Sequence, residues 1–280
     1  MAWKKLLWVK QPYPDNYVDE SFLSQLKRNT NVAPYHYWQL VADMAGIIVH
    51  LCSVAMFAVV FVGVYNEKWS PQSFVVGSSA LTVGGFGLWA ANNPGGVPFL
   101  ERALKSSALI VFVVLALSPV LKSLTRSTSS DSIWALSCWL CVGNICFHDY
   151  SSVSAQEFKP ILATNLALSA AIVLASRLES TLAVFSFVLF SIQLFGVFPS
   201  FVRWVYTTSR RGRWSLVATV VIATDVAIFA LRGGSAVLLW TAVQVAVTFG
   251  LPGWLIELQK YKNEIQGPWD PAKPILRSDT

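Results

Sequence analysis

The sequence predicts an all-α, polytopic integral membrane protein with about eight transmembrane helices, and three observations carry that expectation. Hydrophobic residues make up 54% of the 280 positions and charged residues only 13%. The apolar residues gather into stretches of the length, about 17 to 25 residues, that a helix needs to cross a hydrocarbon core roughly 30 Å thick. The 21 Lys and Arg residues divide very unevenly when the breaks between stretches are assigned to alternate sides.

The spans are expected near Ala42 to Tyr65, Phe74 to Ala91, Ala103 to Leu121, Ser132 to Phe147, Pro160 to Ser176, Ser180 to Phe198, Trp214 to Leu231 and Ser235 to Ile256. An even number puts both termini on one side. That side carries Lys4, Lys5, Lys10, Lys27, Arg28, Arg102, Lys105, Lys159, Arg203, Arg210, Arg211, Arg213, Lys260, Lys262, Lys273 and Arg277, and the other carries Lys68, Lys122, Arg126, Arg177 and Arg232. The positive-inside rule then places both termini in the cytosol. A net charge of +6 therefore speaks of orientation and anionic lipid headgroups, not nucleic acid. The organisation expected is a cytosolic amphipathic arm over 1–41, a membrane domain over 42–256 and a cytosolic tail over 257–280, with no cleaved signal peptide and the first span acting as the insertion signal.

In the amino-terminal arm, Trp3, Lys4, Lys5, Leu6, Leu7, Trp8, Val9 and Lys10 have the mixed indole, aliphatic and cationic composition of an interfacial segment. Pro12 and Pro14 break the chain. Asn16 then starts an expected short helix with Asp19 and Glu20 in its first turn and Lys27 and Arg28 at its end, an order that suits the helix dipole. Val18, Phe22 and Leu26 share one face. So short a helix is marginal alone, so this stripe should dock on the headgroup region or on a partner protein.

Within the second span, Gly84, Gly85 and Gly87 are expected to permit close helix packing. Pro119 should end or kink the third helix, with Lys122 and Asp131 pairing across the following turn. In the fourth, Cys138 and Cys141 form a Cys-x-x-Cys pair, but Cys52, Cys138, Cys141 and Cys146 all lie inside spans and read as small apolar residues rather than a redox or metal site. The tail extends the last helix through Ile265, and Gly267 with Pro268 stops it. Trp269 and Asp270 follow.

Intramembrane polar residues are costly and face partners or cavities. His50, Asn144, Asn165, Gln193, Asp225 and Gln244 read first as interhelical hydrogen-bonding groups. A pathway through Asp225 and His50 is the alternative, and would make the chain a small lipid transporter or scramblase. Arg203, Arg210, Arg211, Arg213 and Trp214 form a cationic, aromatic cluster that reads as an orientation signal or as a site for a lipid phosphate, which guanidinium groups chelate. Asp149 and Tyr150, with His148 beside them, fall on the same side. A metal-dependent sugar-nucleotide site would need an Asp-x-Asp pair, and the sequence has none. An enzyme acting on phosphatidylinositol through His148 and Asp149 would need a nucleophile or metal site that the sequence does not show.

Five blocks in order carry a family resemblance: Trp3-Lys4-Lys5 with Pro14-Asp15-Asn16-Tyr17-Val18-Asp19 and Phe22-Leu23; Ser118 to Thr125 running to Asp131 and Ile133; Asp149-Tyr150; Leu174 to Leu178; and Gly267-Pro268-Trp269-Asp270. Across them the chain resembles the PIG-C family, whose members are subunits of the phosphatidylinositol N-acetylglucosaminyltransferase complex. It departs from the family pattern at Arg126 and His148. The resemblance implies a non-catalytic membrane subunit without a cofactor, in the endoplasmic reticulum. The complex it implies transfers N-acetylglucosamine from UDP-N-acetylglucosamine to phosphatidylinositol, the first step of glycosylphosphatidylinositol (GPI) anchor synthesis. It further implies that the donor-binding fold belongs to another subunit, PIG-A. PIG-A, the remaining subunits and phosphatidylinositol are then the partners, with Val18, Phe22, Leu26, Asp149, Tyr150, Trp269 and Asp270 as candidate contacts.

Overall fold

The computed structural model describes residues 10–14, 16–17, 26–29, 34–93, 96–125, 127–150 and 161–266. Its helices are α1 (Tyr37–Tyr65), α2 (Pro71–Ala91), α3 (Gly96–Ser123), α4 (Ser130–Phe147), α5 (Ile161–Ala175), α6 (Thr181–Ile192), α7 (Phe198–Thr208), α8 (Arg210–Arg232), α9 (Gly234–Val245) and α10 (Leu251–Gln259). A π-helical turn over Gln193–Val197 joins α6 to α7, and another over Ala246–Gly250 joins α9 to α10. The chain is thus an all-α membrane protein. Among the described residues, six helical segments are long and apolar enough to cross a bilayer: Tyr37–Tyr65, Pro71–Ala91, Arg102–Ser123, Thr181–Thr208, Arg210–Arg232 and Gly234–Gln259. The other two expected spans are the shorter helices α4 and α5.

Contacts divide the chain into two units, Val41–Gly250 and the combined segments Met1–Leu40 and Leu251–Thr280. In the larger unit the core is built from Phe57, Val60, Phe61 and Val64 of α1, an alanine face of α5 (Ala167, Ala170, Ala171, Ala175), and Val184, Phe187 and Val188 of α6. Small residues let helices approach closely where lipid supplies no hydrophobic drive between them. A Cβ on Gly143 of α4 would stand 3.1 Å from Leu166 of α5, and Asn144 Nδ2 donates to the Ala163 carbonyl at 2.8 Å. Phe57 and Phe61 both pack on Phe187, with ring centroids 5.1 and 5.3 Å away. By contrast α2 buries no residue, and Leu81, Leu238 and Trp139 are 79%, 76% and 74% exposed, the outward apolar surface of a protein solvated by lipid.

The glycine expectation needs correction. Of Gly84, Gly85 and Gly87 only Gly85 has a neighbour, Phe201 at 3.6 Å, and the other two face open space. Pro119 also does not end its helix, which runs on to Ser123. Lys122 and Asp131 do not pair. Asp131 stays in the first turn of α4, where its charge suits the helix dipole. The turn is held by Arg177 instead, whose Nη2 donates to the Thr125 and Thr128 carbonyls at 3.0 and 2.5 Å, while Thr125 and Ser176 hydroxyls bond each other. At the same end of the helices Lys68 donates to the Leu231 carbonyl at 3.2 Å. These connections, 66–70 with 231–234 and 122–129 with 176–180, are ones that eight alternating spans assign to one side, so α4 and α5 run from that end to the other and back.

Both π turns end two residues before a proline, Pro199 and Pro252. Proline lacks an N–H and clashes with the carbonyl four residues back, and a wide turn at that place absorbs both defects. The sixth span therefore does not close at Phe198 as expected; the wide turn carries the helix on to Thr208. The stretch around Arg210 to Arg213 is accordingly no loop. Ser209 is the one residue between α7 and α8, and its Oγ accepts from Gly212 N at 3.1 Å as the α8 N-cap.

In the smaller unit, Lys27–Arg28 (β1) pairs antiparallel with Ile265–Gln266 (β2), Lys27 opposite Gln266. Asn29 takes a left-handed conformation, φ 53°; its N–H donates to the Glu264 carbonyl and its Oδ1 accepts from Glu264 N, both at 2.8 Å. This corrects two expectations. Lys27 and Arg28 end no helix, because their backbone groups serve the ladder and the Asn29 side chain turns the chain there. Nor does the last helix reach Ile265: the N–H groups of Lys260, Tyr261 and Lys262 donate to carbonyls three residues back, a tightening that closes the helix at Gln259. Val18, Phe22, Gly267, Pro268, Trp269 and Asp270 lie outside the described residues, and Leu26 is half-buried.

Candidate functional site

A cavity of about 320 Å³ opens in the larger unit between α1, the residues that follow α4, and α7 with the start of α8. From α1 come Ala42, Asp43, Gly46, Val49, His50 and Ser53. Their spacing of one, four, seven, eight and eleven is a single helical face about 16 Å long. The α7 wall runs from Leu194 in the π turn through Phe198 and Pro199 to Val202, Arg203 and Tyr206, spaced three and four residues apart along one face. His148, Asp149, Tyr150 and Arg213 complete it.

The charged groups meet across elements. Arg203 Nη2 lies 3.2 Å from Asp149 Oδ2, and the Arg213 guanidinium sits over the Tyr206 ring, 4.9 Å from its centroid, with Nη2 donating to the Tyr206 carbonyl at 3.3 Å. His50 and His148 stack, centroids 3.7 Å apart and planes 12° from parallel, and Tyr150 sets its edge against both. Loss of solvation first, then the Arg203 charge, hold the His148 imidazole below its ordinary pKa, with Asp149 pulling the other way, so its neutral form dominates at neutral pH. Burial, and secondarily Cys146, push the Tyr150 phenol up to about 12, so it stays a donor, here to the Ile145 carbonyl at 2.8 Å. Three buried polar atoms of the cavity have no hydrogen-bond partner among the described residues: His50 Nε2, Tyr206 OH and Arg213 Nε.

The structure brings together residues that the sequence places in separate groups. Arg203 and Arg213, expected at a lipid headgroup, share the cavity with Asp149 and Tyr150, expected at a partner surface. Arg210, Arg211 and Trp214 are exposed and stand outside it. Sequence reasoning does not assign Asp43, His50 and Tyr206 to such a site. For Asp43 and His50 the signal is their seven-residue spacing, which puts them on one face. Tyr206 carries no signal beyond its place near the arginines.

The Asp225 and His50 pair required by a transport pathway does not form. Asp225 accepts from Gln244 Nε2 at 3.1 Å, an interhelical bond of the kind expected, while His50 is stacked on His148. Gln193 likewise donates across helices, to Ser79 Oγ at 3.1 Å. The cysteines are free, Cys52 buried, Cys141 half-buried, Cys138 and Cys146 exposed.

A family model described as phosphatidylinositol N-acetylglucosaminyltransferase matches residues 3–270. The phosphatidylinositol N-acetylglucosaminyltransferase GPI2 subunit of Schizosaccharomyces pombe is 40% identical, over 98% of this chain and 87% of that protein. A putative subunit of the same transferase from Dictyostelium discoideum is 34% identical over 99% and 81%, and the corresponding subunit from Homo sapiens is 32% identical over 98% and 93%. No solved structure matches. A family match that runs from one arm to the other, with relatives above 30% identity aligned over most of their own length, has one meaning: the chain belongs to the GPI2, or PIG-C, family of phosphatidylinositol N-acetylglucosaminyltransferase subunits.

Proposed function

We propose that the chain is a non-catalytic, multi-pass subunit of the complex that transfers N-acetylglucosamine from UDP-N-acetylglucosamine to phosphatidylinositol, the first step of GPI-anchor synthesis. The match over residues 3–270 carries this reading. The absence of an Asp-x-Asp pair from the sequence supports assigning the donor site to another subunit, PIG-A, as the principal partner. Asp149 is engaged by Arg203, and the sequence shows no nucleophile or metal site beside it, which speaks against a lipid-cleaving enzyme.

The arms are the proposed partner-binding elements, through Val18, Phe22 and Leu26 on one side and Trp269 and Asp270 on the other. Phe22→Asp with Leu26→Asp is expected to release the catalytic subunit from the affinity-purified chain while the chain stays in the membrane. Undiminished co-purification of a glycosyltransferase subunit would rule this contact out. Arg210 and Arg211, exposed with Trp214 in the first turns of α8, add positive charge at the end of a helix whose dipole is already positive. That cost is offset at an anionic membrane surface.

The location proposed is the endoplasmic reticulum membrane with both termini in the cytosol. Trp269→Cys in sealed microsomes should react with a membrane-impermeant maleimide added outside. Reaction only after permeabilisation would reverse the orientation.

A further inference from the structure

We infer that the cavity between α1, His148–Tyr150 and α7 is the binding site for the inositol-phosphate headgroup of one membrane phospholipid. The inference rests on the chain being a membrane-spanning member of its complex, and it adds a ligand and the residues that hold it.

The chemistry of the walls selects the ligand class. Two guanidinium groups, Arg203 and Arg213, converge on one space, and guanidinium is the group best matched to phosphate oxygens. Both are already oriented, Arg203 by Asp149 and Arg213 by the Tyr206 ring and carbonyl, so little freedom is lost on binding. A simple anion site would stop there. This one also holds two carboxylates, Asp43 and Asp149, with the His50 and His148 imidazoles and the Tyr206 hydroxyl, groups that exchange hydrogen bonds with a polyol. Cations for a phosphodiester beside acceptors for several hydroxyls fit an inositol phosphate. A bare phosphatidate offers these carboxylates no donor hydroxyls.

The unpartnered atoms point the same way. Buried polar groups are normally bonded, and here the His50 Nε2, Tyr206 OH and Arg213 Nε atoms are orphaned together around one space. His50 is only 6% exposed. The remaining wall is apolar, with Gly46, Val49, Leu194 and Val202, and suits the glycerol and the first acyl carbons. At about 320 Å³ the cavity falls within the range of small-molecule sites. Asp43 and Arg213 lie within two turns of a helix start and Arg203 within two turns of Thr208, which sets the cavity mouth at headgroup depth.

The test uses the purified complex in phosphatidylcholine nanodiscs doped with phosphatidylinositol, phosphatidylserine or phosphatidylglycerol, and native mass spectrometry of the retained lipid without sugar nucleotide. Phosphatidylinositol should be retained at least tenfold over the other two, which carry the same net charge. Arg213→Gln should lower its retention about tenfold. Tyr206→Phe, which removes only an unpartnered hydroxyl and keeps the ring under Arg213, should lower it severalfold with unchanged thermal stability. Soluble inositol 1-phosphate should compete at high concentration. Equal retention of the three anionic lipids, or no effect of Tyr206→Phe in a folded complex, overturns the site; binding of the soluble headgroup without the lipid overturns the lipid assignment. Because no transfer is measured, failure here leaves complex membership standing. A complex that binds the lipid but contains no glycosyltransferase refutes membership alone.

Discussion

Membranes from cells lacking this chain are expected to form no N-acetylglucosaminyl-phosphatidylinositol from UDP-N-acetylglucosamine, even with the catalytic subunit present. The purified chain by itself is expected to form none either. The second expectation follows from the described structure. Among the described residues the connections between helices include 66–70, 176–180, Ser209 alone and Gly233 alone. None is large enough to fold around a sugar nucleotide, and no Asp-x-Asp pair exists to hold its diphosphate through a metal. The first follows from membership in a complex whose reacting lipid lies in the bilayer that this chain spans. Radiolabelled sugar transfer to lipid, resolved by thin-layer chromatography, reads both. Normal first-step synthesis without the chain refutes the functional assignment, and transfer by the isolated chain refutes the non-catalytic reading.

Gly63→Leu is expected to be among the most damaging single substitutions in the membrane domain, while Gly77→Leu should be neutral or stabilising. A Cβ on Gly63 would stand 2.5 Å from Trp69 Cε3 and 2.7 Å from Cδ2, well inside contact distance. The indole has little room to retreat, because Trp69 packs against the core and its own N–H, with that of Lys68, donates to the Gly63 carbonyl at 3.2 and 3.0 Å. Overpacking of this kind costs about 1–3 kcal/mol. Replacing glycine in a helix returns only about 1 kcal/mol, so the clash wins at Gly63. At Gly77 nothing lies within 4 Å and the propensity gain stands alone. Thermal unfolding of the two variants in detergent should separate them by several degrees. A Gly63→Leu midpoint at or above the parent value would show that Trp69 moves freely.

Helix positions were legible because lipid imposes a length and an apolarity that local composition reports directly. The stretch expected over Ser132 to Phe147 is the helix Ser130–Phe147, and Phe74 to Ala91 is Pro71–Ala91. What failed to show was everything decided between segments. The pairing of Lys27–Arg28 with Ile265–Gln266 joins chain ends more than two hundred residues apart, and no local pattern announces it. Pro199 looks like a terminator because its local effect is to break a helix, and only the wide turn ahead of it restores continuity. In the site, Arg203 and Arg213 stand out as charges at an interface. That they meet Asp149, His50 and Tyr206 depends on how three segments pack.

The wide turn at Gln193–Val197 acts on helical phase as an inserted base acts on a reading frame. Each residue of an α-helix advances about 100° around the axis, so one extra residue in the turn rotates all that follows by that amount. A helical wheel drawn through Thr181–Thr208 at a constant 100° per residue misplaces everything after the turn together, so Phe198, Pro199, Val202, Arg203 and Tyr206 keep their shared face but sit roughly a quarter-turn from where the wheel puts them relative to Thr181–Ile192. Spacing across such a turn, more than the identity of the residues within it, then sets what the second half of the helix presents.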